Sequence, residues 1–104
     1  MKATTLVASF VFTAVVNAWK LDFYGVGSKY VKTHGTRDVD CNNLISSYDV
    51  RTDLIDFDQA TAHWKDPSTF TAYQYADCDG ASWTGNPGRH TIDPPRRFRS
   101  YSLH

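Results

Sequence analysis

Past its N-terminus, this chain never sustains a helical hydrophobic period. Its apolar residues come in short alternating runs cut by Gly, Asp, Asn and Pro, and that pattern restricts the fold to strands. Trp19-Lys20-Leu21-Asp22-Phe23-Tyr24 alternates and then breaks at Gly25-Val26-Gly27-Ser28. Leu54–Asp58 reads as a second strand, and Phe70–Tyr75 as a third, after the turn signal Asp66-Pro67-Ser68. Arg97–Leu103 alternates to the end of the sequence and reads as one closing strand. Asn42–Tyr48 and Gln59–Trp64 have room for a helical turn and nothing longer. The expected architecture is all-β.

The N-terminus is patterned differently. Lys2 supplies a positive start, Leu6–Val16 an apolar run, and Val16-Asn17-Ala18 the modest residues that a signal peptidase reads. Residues 1–18 are therefore expected to be a cleavable secretory signal, with cleavage before Trp19. The apolar run is too short to span a bilayer, which takes about 20 residues, so no stable membrane anchor is expected. Removal of residues 1–18 leaves 86 of the 104 residues, enough for one domain at 19–104. It also takes away Lys2 and no acid, moving the formal net charge from 0 to −1. A near-neutral chain has no global field to draw it onto nucleic acid or an anionic membrane.

A domain this small has a thin core and often needs a covalent staple. Cys41 and Cys78 are the only cysteines, and in an exported protein they are expected to form one disulfide. They are not in a CxxC pair, and neither has a His at metal-ligand spacing.

The two halves look related. Asp22-Phe23-Tyr24 opens one strand-turn unit and Thr71-Ala72-Tyr73 opens another; the first unit closes on Leu54–Asp58 and the second on Phe98–Leu103. Two such four-strand units would pack as a small sandwich, each sheet burying one apolar face. At Tyr73-Gln74-Tyr75-Ala76-Asp77-Cys78-Asp79-Gly80 the chain resembles the signature turn of a βγ-crystallin Greek key, with Cys78 in a place usually held by an aromatic. Gly80 has a physical reason there: the folded hairpin needs a residue free to take positive φ. In the first half, Phe23, Tyr24 and Tyr30 match the aromatics, though Tyr30 has no Gly two residues on. The resemblance implies a small antiparallel β-sandwich of two Greek-key motifs. Within that family the chain is similar to small secreted fungal proteins related to killer toxins and a metalloproteinase inhibitor.

Microbial βγ-crystallins bind calcium through a pattern that Asn42-Asn43-Leu44-Ile45-Ser46-Ser47 fits. Hard oxygen donors suit that ion, which makes Asn42, Asn43, Ser46 and Ser47 a candidate site. The corresponding stretch of the second half, Pro95-Arg96-Arg97-Phe98-Arg99-Ser100, carries cations instead. Turn formation by Asn42 and Asn43 is the favoured reading, and no cofactor is expected.

Catalysis is not expected. The chain contains no Glu and no HExxH, GxSxG or glycine-rich phosphate loop. A nuclease-like site would have to gather His90, Arg89, His34 and Asp38, which no motif brings together. The distinctive surface is basic: Arg89, Arg96, Arg97 and Arg99 cluster around Pro94-Pro95, with Arg97 and Arg99 expected on one face of the last strand and no obvious Asp partner. Such a patch suits an acidic glycan, a lipid headgroup or an acidic protein; its ordinary alternative is a charged edge that resists aggregation. Trp64 and Trp83 are expected in packing rather than on sugar rings.

The resulting expectation is a secreted, monomeric, non-enzymatic protein that acts by extracellular binding on a cell-wall glycan, membrane surface or host protein. The resemblance implies a toxin-like antimicrobial or a host-directed effector. The alternatives are a protease inhibitor presenting Asp79–Gly88 as a rigid loop, and a small secreted nuclease.

Overall fold

The computed structural model describes residues 18–59 and 67–104. The expected signal peptide, apart from Ala18, therefore lies outside the described residues, as do Trp64 and most of Gln59–Trp64. Among the described residues, no helix is long and apolar enough to cross a membrane.

The described residues form eight strands: β1 (Trp19–Gly25), β2 (Tyr30–Gly35), β3 (Val39–Asn43), β4 (Arg51–Asp58), β5 (Phe70–Tyr75), β6 (Asp79–Gly85), β7 (Gly88–Arg97) and β8 (Ser100–Leu103). They make two four-stranded antiparallel sheets, ordered β2-β1-β4-β7 and β3-β8-β5-β6. The two orders are one arrangement used twice. In each sheet the first strand of a half lies between its hairpin partner and the fourth strand of the same half. The remaining place is taken by the third strand of the other half. Each half thus completes the other's sheet, and neither half can bury its apolar face alone.

The alternation legible in the sequence fills the space between the sheets. Leu21, Phe23, Ile55 and Phe57 point inward from one sheet, and Phe70, Ala72, Tyr101 and Leu103 from the other; all are buried. Phe57 meets Phe70 edge-on at 5.7 Å between ring centroids, and Phe23 lies 6.1 Å from Tyr101. Each fully buried Phe or Leu stabilises such a core by about 1.5–3 kcal/mol. Thr52 and Ser100 are also fully buried, and both find partners.

Two expectations need correction. Arg97–Leu103 is not one strand: β7 ends at Arg97, the chain crosses between the sheets at Phe98 and Arg99, and β8 begins at Ser100. Phe98 is buried at that crossing, where it packs 6.4 Å from Phe23. In Asn42–Tyr48, Asn42 and Asn43 end β3 and only a single non-helical turn follows, closed by the Tyr48 amide donating to the Ile45 carbonyl at 3.0 Å; the one short 3-10 turn among the described residues lies at Val26–Ser28.

Candidate functional site

The site is set by an irregularity in the pairing of β4 with β7. Thr52 pairs with Arg96 and Leu54 with Thr91, so the four residues Ile92–Pro95 stand against the single residue Asp53. Pro94 and Pro95 fit there because β7 is the edge of its sheet, where a missing amide leaves no ladder bond unmade. A bulge of this kind re-aims the side chains that follow it. Here those are Arg96 and Arg97.

Arg97 is the cross-strand partner of Arg51, at the start of β4. Arg51, Arg96 and Arg97 line one groove of about 510 Å³, closed on the other side by Gln74 of β5 and Ala81 of β6. The groove therefore lies where the two sheets meet. The guanidinium carbon of Arg96 stands 5.9 Å from the Trp83 ring and 5.3 Å from the Phe98 ring. These contacts hold the guanidinium without neutralising it. The Trp83 indole N–H is buried with no hydrogen-bond partner among the described residues. Trp83 itself packs against the core.

Arg97 does have an acidic partner, contrary to expectation: it pairs with Asp49, and both side chains are exposed. This is the one ion pair among the described residues. Of the three arginines that line the groove, only Arg97 has a carboxylate partner among the described residues. Guanidinium groups offer planar, paired N–H donors that match carboxylate, sulfate and phosphate oxygens.

The other two arginines of the expected patch lie elsewhere. Arg89 is near the opposite end of β7, opposite Asp56. Arg99 sits in the crossing to β8, and its Nη1 donates to the Tyr48 carbonyl at 2.8 Å. Arg99 is a brace between loops and does not share a strand face with Arg97. Arg51 takes its place. The sequence carried no local signal for it, because only the β4–β7 register brings residues 51 and 97 together.

Cys41 and Cys78 are joined, with Cα atoms 6.0 Å apart. Cys41 lies on β3 and Cys78 in the turn between β5 and β6, on either side of β8 in the sheet order. Hydrogen bonds reinforce the link. Asn43 donates to Asp77 Oδ1 at 3.2 Å and accepts from the Asp77 amide at 2.8 Å. The Ser100 hydroxyl accepts from the Cys78 amide at 2.8 Å and donates to the Tyr75 carbonyl at 2.6 Å. The turn runs through positive φ at Asp77, Cys78 and Gly80. At Gly80 a Cβ would stand 2.5 Å from the Tyr75 ring, so both conformation and space require glycine.

The candidate calcium residues serve this same end of the molecule. Asn43 is engaged with Asp77, and Asn42 donates to the Tyr101 hydroxyl at 3.3 Å. Ser46 and Ser47 form an exposed turn beyond the buried Leu44.

The nuclease-like set is dispersed. His34 is on β2 and His90 on β7, at opposite edges of the sheet and three residues out of register, so more than about 14 Å apart at ordinary strand spacing. His90 packs inward, 5.3 Å from the Phe70 ring, with Nε2 2.7 Å from the Asn86 carbonyl. Asp79–Gly88 is not a rigid loop: Asp79–Gly85 is strand β6, paired along β5. Only Asn86 and Pro87 remain between it and β7.

No family model, curated protein or solved structure matches this chain.

Proposed function

We propose that this is a secreted, non-enzymatic binding protein that holds an acidic extracellular ligand in the Arg51–Arg96–Arg97 groove. The observation that carries the reading is that three arginines line one groove and only one of them, Arg97, has a carboxylate partner, Asp49, among the described residues. Folding alone gains nothing from that arrangement, since like charges set opposite each other across strands are unfavourable. An anionic ligand removes the repulsion. A glycan bearing carboxylate or sulfate groups suits the groove, because paired oxygens meet paired donors along its length.

Secretion is supported by the disulfide, which persists in oxidising compartments, and by the signal-like sequence of residues 1–18. The interleaved sheet order and the positive-φ turn at Gly80 support a crystallin-like Greek-key ancestry. With it comes the role of a toxin-like antimicrobial or host-directed effector that acts at a surface.

Calorimetric titration with a heparin-derived sulfated oligosaccharide tests the reading. The native protein is expected to bind at low salt and to weaken as salt screens the groove. A variant with Arg51→Ser, Arg96→Ser and Arg97→Ser is expected to lose binding while keeping its cooperative melt. Equal affinity of the two proteins, or no binding by either, overturns the reading.

A further inference from the structure

We infer that the outer face of the sheet β2-β1-β4-β7 is a second binding surface, built for a neutral polysaccharide. The inference is independent of the arginine groove. It concerns residues whose side chains alternate with the buried Leu21, Phe23, Ile55 and Phe57 and therefore point away from the core.

The strand register sorts that face into rows. One row runs Lys32, Asp22, Asp56, Arg89 across all four strands. Beside it, Lys20 stands between His34 and Asp58. Three cations thus share the face with three carboxylates, the two acids at the centre of the long row flanked by cations, and none of these six groups forms an ion pair among the described residues. These six groups set donors and acceptors side by side with no net charge among them. An anionic ligand would meet the two carboxylates at the centre, and a cationic one would meet cations at both ends. A neutral chain of hydroxyl groups, each both donor and acceptor, suits the whole row.

The neighbouring row supplies the apolar part. Tyr24 and Tyr30 are cross-strand partners with ring centroids 6.3 Å apart. Tyr30 is 61% exposed, and the Lys32 ammonium lies 5.7 Å from its ring. The exposed Tyr30 ring, with the half-buried Tyr24 ring tilted 48° against it, offers an apolar face with a polar margin. The C–H face of a sugar ring and its hydroxyls require that combination. A hollow of about 240 Å³ opens between Lys20, Asp22, Lys32 and His34, and another of about 530 Å³ beside Leu54, Arg89 and Thr91, with Asp53 and Asp93 also on its wall. Both hollows lie along the face, so the fitting occupant is a chain lying across the strands rather than a single sugar.

Incubating the native protein with insoluble chitin, cellulose and β-1,3-glucan, at 0.05 and 0.5 M NaCl, tests the inference. Retention by at least one polysaccharide, the same at both salt concentrations, is expected. Tyr24→Ala with Tyr30→Ala is expected to weaken it at least tenfold, as is Tyr30→Ser alone, a change at an exposed position that leaves the core untouched. The triple arginine variant is expected to bind like the native protein. Passage through all three polysaccharides, retention abolished by salt, or retention unchanged by the tyrosine substitutions overturns the inference.

Discussion

Arg51 and Arg97 stand directly opposite each other in the pairing of β4 with β7, two like charges at a cross-strand position. Opposed charges of one sign destabilise a sheet by a few tenths of a kcal/mol to about 1 kcal/mol. Asp49 pairs with Arg97, and Arg51 forms no ion pair among the described residues. Arg51→Thr is therefore expected to raise the melting temperature slightly and to weaken binding of a sulfated oligosaccharide. Paired melting and titration of the variant check this. A fall in both would mean that Arg51 serves structure.

Ser100 is fully buried and bonds both sides of the β5–β6 turn, through the Cys78 amide and the Tyr75 carbonyl. Ser100→Ala leaves a buried donor and acceptor without their partner, a loss of about 1–3 kcal/mol for each group left unsatisfied. Urea unfolding should show a lower midpoint with an unchanged slope, while the arginine groove keeps its affinity.

The disulfide closes a loop across 37 residues. In the chain-entropy model such a closure stabilises by about 4 kcal/mol. Cys41→Ser with Cys78→Ser is expected to lower stability by that order. Labelling the native protein under denaturing, non-reducing conditions is expected to find no free thiol.

Asp22 has its carboxyl pKa held above the ordinary value, first by burial and then by Asp56 across the strand, against the opposing pull of Lys32. The folded protein therefore binds the Asp22 proton more tightly than the unfolded chain does. The sign follows from linkage: stability falls as pH rises from the ordinary aspartate value through the raised one, and the penalty is complete above it. Asp22→Asn is expected to stabilise the protein at neutral pH and to flatten that part of the stability profile. Chemical denaturation of both proteins across the acid range measures the difference.

How much was legible depended on how locally each feature is encoded. β1 and β5, and most of β4, announced themselves by alternation, because their inward faces are the core. β6 did not: Asp79, Gly80, Ala81 and Ser82 are small or polar, and the strand owes its existence to pairing along β5. β3 is exposed over most of its length and is held by β8 and the disulfide. The continuous alternation of Arg97–Leu103 concealed a jump between sheets at Phe98 and Arg99, because alternation does not report which sheet a strand joins. The candidate site was half legible for the same reason. Arg96 and Arg97 were visible as neighbours in a basic stretch. Arg51 is brought in by register across a bulge, and Arg99 is turned away by the crossing.

The central claim is that the three arginines act together on an acidic ligand. The most direct measurement follows the arginine side-chain Nε–H resonances by NMR during titration with a heparin-derived sulfated oligosaccharide. Arg51, Arg96 and Arg97 are expected to shift together, with one shared affinity, while Arg37, Arg89 and Arg99 stay in place. Shifts centred on the other arginines, or no shift at a ligand excess, would contradict it.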